Sequence, residues 1–167
     1  PESRIILYNF EKLSGYKFSI ECVEKLVKKF PQQIVGVKDS SYNLFENLKI
    51  ENFSVLPGSE LKLLKGLEIG CSGIITATCN VTAAISRKVY DDYKSNKQQT
   101  ANEMLCNVRN VFDQFNLISG LHSFMLDEDI IYKNILPPIS LLCKKDKIKL
   151  IDELNKLNFK LESLRAA

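Results

Sequence analysis

Two side chains in this sequence have the type and placing to do chemistry, Tyr8 and Lys38. Tyr8 closes the apolar run "IILY" at residues 5–8, and Lys38 closes "IVGVK" at residues 34–38. An amine and a phenol brought to one place can process a carbonyl compound. A neutral amine adds to a ketone and expels water to give an imine. Once protonated, the imine is an electron sink that lets a carbon–carbon bond two atoms away break or form through an enamine. The phenol can relay protons during imine formation and on the aldehyde oxygen that departs or arrives. The amine must be neutral to attack, and burial among Ile34, Val35 and Val37 is expected to favour that form, because desolvation penalises charge. The residues alone also allow a plainer reading, in which Lys38 snorkels into water from a strand end and Tyr8 caps the core.

The elements that would position this pair can be read from hydrophobic periodicity. "IILY" and "IVGVKD" are short, apolar and rich in β-branched residues, as buried strands are. "FSVLPG", ending at Pro57 and Gly58, gives a third such run, and "GIITA" at residues 73–77 a fourth. Between them Ser19 offers an N-cap for "IECVEKLVKKF", whose Ile20, Val23, Leu26, Val27 and Phe30 recur at helical spacing until Pro31 stops the helix. A short helical piece follows at residues 43–48, and Ser59 can cap "ELKLLKGLEIG". Helices alone follow: one at residues 81–94, a longer one at 98–117, and a closing amphipathic one at 147–163. Ile148, Leu150, Ile151, Leu154, Leu157 and Leu161 lie on the apolar face of the last.

Strands apolar on both faces and separated by helices imply an α/β fold with a parallel sheet covered by helices. Right-handed crossovers put every strand's C-terminal end at one edge, where ligands bind in such sheets and barrels. That edge should carry Tyr8, Asn9, Lys38, Asp39, Pro57, Gly58 and residues 76–78. Neighbouring parallel strands lie about 4.8 Å apart, so Tyr8 and Lys38 should project into one site.

Composition narrows the function classes. With 167 residues, 45% of them hydrophobic, the chain is long enough to bury a real core. Its net charge of +3 arises from 23 basic and 20 acidic residues spread along its length, which is no footprint of a nucleic-acid binder. Five cysteines with no C-x-x-C pair argue for reduced thiols acting as small core residues rather than a disulfide framework or a zinc knuckle. No apolar run approaches the roughly 18–20 residues of a membrane span, and "PESRIILYNF" lacks the blocks of a signal peptide. A cytoplasmic place follows as the expectation. The abrupt start, without an initiator Met, reads as a fragment of something longer.

Other features have ordinary explanations. "PGSE" resembles a phosphate cradle, but Glu60 in the first helical turn would repel an anion, and Ser59 reads as a simple N-cap. His122, the single histidine, stands near Ser123 and Asp127 without a stated geometry for a triad. It cannot build a metal site alone, and no Asp/Glu cluster has ligand spacing. "CKKDKIK" reads as a solvated helix start. Gly66, Gly70 and Gly73 spell no dinucleotide fingerprint, because they sit in a helix-to-strand turn.

Several motifs in order resemble one family. "YNFEKLSG" resembles Y-N-x-P-x-x-[ST]-G, and "IVGVKDSS" the strand bearing the Schiff-base lysine, of the dihydrodipicolinate synthase and N-acetylneuraminate lyase family. "VLPGSELKLLKGLEIGCSGIITATCNV" is similar to that family's seventh and eighth strands, and "LPPISLL" to the proline pair before its last helix. The resemblance implies the C-terminal half, strands 5 to 8, of a (β/α)8 TIM barrel with a C-terminal helical extension. The half-barrel would span residues 1–95 and the extension residues 96–167. It also implies a class I aldolase in which Lys38 forms the imine with pyruvate and Tyr8 relays protons. The expected partners are pyruvate and an aldehyde, or the corresponding 2-oxo acid, commonly in a homotetramer, with no metal or organic cofactor beyond the covalent imine. Gly58 would border the substrate with backbone, the carbonyl of Ile75 would face it, and Ser14 and Gly15 would shape the loop over the site. Asn9 is expected to be structural.

The departures from the pattern matter as well. The family's first four strands, with the residues that hold the pyruvate carboxylate and a second relay tyrosine, have no counterpart in this sequence, so this piece alone is expected to be inactive. Glu11 replaces a proline, and Leu136 stands where many members have arginine. Leu13 occupies the place of the arginine that holds the second substrate's carboxylate in dihydrodipicolinate synthases. That points toward cleavage or formation of a 2-keto-3-deoxy sugar acid, a sialic acid-like compound or a 4-hydroxy-2-oxo acid. Dihydrodipicolinate synthase itself is the alternative. A half-barrel with a structural or assembly role and no catalysis is the alternative of another class.

Overall fold

A computed structural model of the chain describes residues 3–161. The chain divides between Thr76 and Ala77 into two compact units. The helix expected at residues 81–94 therefore groups with the helices that follow it, whereas the expected boundary at residue 95 falls between that helix and the next.

The first unit is built on a three-stranded parallel sheet ordered β1 (Ile5–Asn9), β2 (Ile34–Asp39), β3 (Ser54–Pro57). Helix α1 (Glu11–Ser14) and helix α2 (Ile20–Lys29) lie between β1 and β2. Ser19 caps α2, its hydroxyl accepting from the Cys22 amide at 3.1 Å, and Lys28 and Lys29 in the last turn complement the helix dipole. The helix ends at Lys29, and its C-cap Phe30 directly precedes Pro31. Helix α3 (Leu63–Glu68) follows β3 through a 3-10 turn at Glu60–Lys62. Ser59 caps that turn, accepting from the Leu61 amide at 3.3 Å. Residues 43–48, expected to be helical, form turns instead. Leu44, Phe45 and Leu48 still project into the core.

Side chains alternate across the sheet, and one face is packed. Val37 and Val55 join Val23 of α2, Leu44, Phe45, Leu48 and Cys71 in a single apolar cluster. The other face carries Ile6 and Tyr8 of β1, Gly36 and Lys38 of β2, and Ser54 and Leu56 of β3, held side by side by the register. It is the open face: Ile6 is 46% and Tyr8 48% exposed.

The fourth expected strand, at residues 73–77, is not a regular strand. The Ser72 amide donates to the Val55 carbonyl at 3.0 Å and the Ile75 amide to the Pro57 carbonyl at 3.2 Å. Three residue steps on one side thus match two on the other, and a regular ladder cannot form across such a mismatch. Gly73 takes up the extra residue at φ +148°, which a side chain would strain.

The second unit is helical: α4 (Cys79–Lys94), α5 (Asn102–Phe112), α6 (Leu117–Met125) and α7 (Lys144–Lys156), with a 3-10 turn at Ile130–Lys133. The single helix expected at residues 98–117 is broken because Asn116 starts a new one, its side chain accepting from the Ser119 amide at 3.1 Å. Gly120 lets the two segments meet: a Cβ there would lie 3.4 Å from the Phe112 ring. The closing helix begins earlier and ends sooner than residues 147–163. Asn158, at φ +54°, stops it, with the Asn158 amide bonded to the Asn155 carbonyl at 2.9 Å and the Phe159 amide to the Leu154 carbonyl at 3.1 Å. That pairing is a left-handed cap closed by an apolar contact, since Phe159 and Leu154 share the core with Val108, Phe112 and Leu150. Ile148, expected on the buried face, is 51% exposed. Residues 162 and 163 lie outside the described residues. No helix among the described residues is long and apolar enough to cross a membrane.

Candidate functional site

Tyr8 and Lys38 are register partners on adjacent parallel strands and share the open face. The Lys38 ammonium group lies 4.1 Å from the centroid of the Tyr8 ring, a cation–π distance. The amine and the phenol are therefore neighbours, as the strand-end argument required. The expected dryness is different. Lys38 is half-buried, and of its apolar neighbours in sequence Val35 and Val37 point to the opposite face. Strand alternation prevents them from enclosing the amine.

The remaining expected site residues are placed around this pair. Gly58 continues β3 beyond Pro57, its amide donating to the Asp39 carbonyl at 2.9 Å. A Cβ at position 58 would lie 2.2 Å from Ser40 Oγ, so only glycine lets the two strand ends approach this closely. Ile75 is 38% exposed and is tied to the end of β3 by its amide. Ser14 and Gly15 close α1: Gly15 is left-handed at φ +70°, and the Ser14 hydroxyl lies 3.0 Å from the Phe10 carbonyl and 2.9 Å from that of Tyr16. Both are exposed and shape the loop that follows Tyr8. Glu11, where the family motif has proline, does not disturb this loop. Its amide donates to Ser41 Oγ at 2.9 Å, and its carboxylate pairs with Lys17 at 3.1 Å.

Behind the sheet lies a polar cluster that sequence reasoning missed except for Asn9. Asp39 and Asn9 are fully buried. Asp39 Oδ1 accepts from Asn9 Nδ2 at 2.8 Å and the Tyr42 amide at 2.9 Å; Oδ2 accepts from the amides of Leu44 at 2.8 Å and Phe45 at 2.9 Å. Asn9 also donates to Asn43 Oδ1 at 2.8 Å and accepts from the Phe18 amide at 3.0 Å, and Asn43 returns a bond to the Phe18 carbonyl at 2.8 Å. Such a buried carboxylate is sustained only when its acceptor sites are filled, and here four donors fill them. The one available signal was an aspartate directly after an apolar strand.

The other candidates resolve as ordinary structure. His122 Nδ1 lies 2.9 Å from the Tyr132 carbonyl. Ser123 accepts from the Leu142 amide, and Asp127 pairs with Lys147 at 2.6 Å, so the three side chains serve separate partners and form no triad. Glu60 is fully buried and accepts from Thr76 Oγ1 at 3.0 Å. Of the five cysteines only Cys71 is buried, and Cys143 is exposed, which corrects the expectation of five core thiols.

A family model described as the dihydrodipicolinate synthetase family matches residues 1–157. The chain belongs to this family. Among curated relatives, a 4-hydroxy-tetrahydrodipicolinate synthase of Methanopyrus kandleri is 32% identical over 108 residues, covering 62% of this chain and 36% of the relative. A 2-dehydro-3-deoxy-D-gluconate/2-dehydro-3-deoxy-phosphogluconate aldolase of Picrophilus torridus is 31% identical over 99 residues, covering 56% and 36%. Among solved structures, dihydrodipicolinate synthase from Aquifex aeolicus matches with a TM-score of 0.83 at 20% identity, covering 96% of this chain and 57% of that one. YagE, a prophage protein of the family from E. coli K12 solved in complex with pyruvate, matches with a TM-score of 0.79 at 22% identity, covering 94% and 57%. These likenesses show the fold. The chain spans about a third of the length of these curated relatives and just over half of these solved chains.

Proposed function

We propose that this chain is the C-terminal portion of a pyruvate-dependent Schiff-base aldolase or lyase, contributing strands 5 to 8 of a (β/α)8 barrel. The observation that carries the reading is the pairing of Tyr8 with Lys38 at the C-terminal ends of adjacent parallel strands, on one open face. In a closed barrel that face points inward, so the enclosure missing around Lys38 would come from the remaining strands. The same strands would hold the pyruvate carboxylate, and the portion described here is inactive without them.

In this reading the neutral Lys38 amine attacks the keto carbon of pyruvate. Tyr8 protonates the oxygen of the resulting carbinolamine, which leaves as water and gives the protonated imine. The Tyr8 phenolate left by that step takes a methyl proton to give the enamine, whose carbon adds to an aldehyde while Tyr8 passes the proton on to the new alkoxide. Hydrolysis of the imine then frees the 2-oxo acid and regenerates the amine, and cleavage runs the same steps in reverse. The imine is itself the electron sink, so the chemistry calls for no separate cofactor.

Leu13, 75% exposed on the loop after β1, favours a sugar-derived or other small 2-oxo acid over the substrate of dihydrodipicolinate synthase, since an alkyl side chain cannot hold a carboxylate. The second reading, a 4-hydroxy-tetrahydrodipicolinate synthase, is supported by the Methanopyrus kandleri relative, which is as similar as the sugar-acid aldolase. Both readings share one test. Borohydride added with pyruvate to the full-length gene product should trap a reduced adduct, located at Lys38 by peptide mass spectrometry. Lys38→Ala should lose both adduct and turnover, and Tyr8→Phe should still form the adduct at Lys38, but more slowly, while turnover falls by about 10²–10⁴-fold. An adduct on any other residue, or an active Lys38→Ala enzyme, refutes the assignment. Supplying the trapped enzyme's natural form with aspartate semialdehyde or with a keto-deoxy sugar acid then separates the two substrates.

A further inference from the structure

We infer that the buried Asn9–Asp39–Asn43 cluster is a positioning device that sets the rate of chemistry at Lys38 without touching substrate, an inference that rests on the Schiff-base reading above. Each reacting residue stands one position before a member of the cluster: Tyr8 precedes Asn9 on β1, and Lys38 precedes Asp39 on β2. Alternation sends the reacting pair to the open face and the cluster to the packed one. The peptide plane between neighbours is rigid, so a strand cannot slide or rotate at Asn9 without carrying Tyr8 along.

The bonds that oppose such movement cross between the two strands and into both following loops. Asn9 Nδ2 to Asp39 Oδ1 at 2.8 Å joins the strands by side chains, and the amides of Ser40 at 2.9 Å and Ser41 at 3.2 Å join them again at the Asn9 carbonyl. The Asp39 carboxylate then gathers the amides of Tyr42, Leu44 and Phe45, which fixes the loop leaving β2. Asn9 and Asn43 together hold both the amide and the carbonyl of Phe18, the end of the loop that begins after Tyr8. Ser41 holds the start of the same loop through the Glu11 amide. The loop of residues 10–18 is thus pinned at both ends by residues of the segment that carries Lys38, while its middle, from Lys12 to Lys17, is exposed.

Apolar packing on the same face, by Leu7, Val37 and Val55, supplies cohesion but tolerates small slips. Hydrogen bonds of this kind are directional and weaken steeply with misalignment, which is the property a register clamp needs. A displacement of about 1 Å between an amine and its proton relay costs on the order of a hundredfold in rate. The cluster is placed to prevent a displacement of that size.

The test uses the full-length protein with pyruvate as the probe and the borohydride-trapped Lys38 adduct as the readout, its rate of formation normalised to folded material by circular dichroism. Asn9→Ala and Asp39→Asn should form the adduct at Lys38 about tenfold to a hundredfold more slowly, with half-saturation by pyruvate unchanged. Asn43→Ala, at the partly exposed edge of the cluster, removes two bonds without disturbing Asp39 and should slow the adduct by a smaller factor; it carries the test if either buried variant fails to fold. Wild-type rates in folded Asn9→Ala and Asn43→Ala, or a loss confined to pyruvate affinity, overturn the positioning role and leave the Schiff-base reading standing. Absence of a Lys38 adduct in the wild-type protein overturns both.

Discussion

Replacing Gly58 by alanine tests whether the strand ends around Lys38 are packed as closely as the structure has them. An added Cβ would lie 2.2 Å from Ser40 Oγ, 3.0 Å from Ser40 Cβ and 3.1 Å from Ser40 Cα. Rotating the serine hydroxyl away relieves the first contact alone. The other two persist whatever the rotamer, so the ends of β2 and β3 must part by a few tenths of an ångström against the 2.9 Å bond from the Gly58 amide to the Asp39 carbonyl. Overpacking of this degree costs about 1–3 kcal/mol. In urea the midpoint should fall by roughly 0.5–1.5 M with an unchanged slope, given a slope of about 2 kcal/mol per molar. Two controls sharpen the test. Gly36→Ala should cost more, because its Cβ would meet the backbone carbonyl of Ser54 at 2.7 Å, which no rotamer can move. Ser40→Gly removes two of the three contacts at position 58, so the double variant Gly58→Ala/Ser40→Gly should recover about 0.5–2 kcal/mol relative to the sum of the single changes. A Gly58→Ala protein as stable as wild type, or a double-mutant cycle with no coupling, would refute the close approach of these strand ends.

Glu11→Pro should be tolerated, moving the urea midpoint by the equivalent of less than about 1 kcal/mol. The first position of α1 suits proline and the unfolded chain loses freedom, which offsets the bond from the Glu11 amide to Ser41 and the exposed pair with Lys17; a loss well beyond that would mean the loop depends on Ser41 more than its exposure implies. Burial pushes the Cys71 thiol up, so the folded state favours its protonated form. The corresponding stability is present below the ordinary thiol pKa of about 8.5 and is lost as pH rises through the higher folded value. Cys71→Ala should therefore flatten the alkaline end of the stability profile. Iodoacetamide near pH 8 should alkylate exposed Cys143 long before Cys71, and equal labelling of the two would contradict the burial.

Much of the first unit was legible because its signals are local. The apolar runs of β1, β2 and β3, the Ser19 cap and the stop before Pro31 each act within a few residues, and each lies where the pattern put it. What could not be read depends on partners distant in sequence. "GIITA" has strand composition, but its pairing with β3 fails by one residue, and no property of the segment itself records that mismatch. Residues 98–117 carry an unbroken helical period, yet Asn116 gains more as the cap of α6 than as an interior residue of a longer helix. "NLFENL" has apolar residues at helical spacing and closes a single turn, its leading amides capped by Asp39 and the Leu48 amide donating to the Leu44 carbonyl at 2.8 Å, but no second turn follows to make a helix.

The same distinction separates the residues named for chemistry from those that hold them. Tyr8 and Lys38 stand out because a phenol and an amine are conspicuous at the ends of apolar runs. Asp39, Ser41 and Asn43 follow immediately and look like the turn chemistry that ends any strand. Their role emerges only when β1 is laid beside β2, because three of the bonds that matter, those from Asn9 Nδ2 to Asp39 and from the amides of Ser40 and Ser41 to the Asn9 carbonyl, span about thirty residues of sequence. Parallel strands make this separation unavoidable, since the crossover between them is long. Alternation then divides the labour at each strand end, one residue facing the open side and the next bonding across the packed side. A sequence motif that names the reacting residue therefore also names its support, one position along, whenever that next residue is polar and its strand is buried.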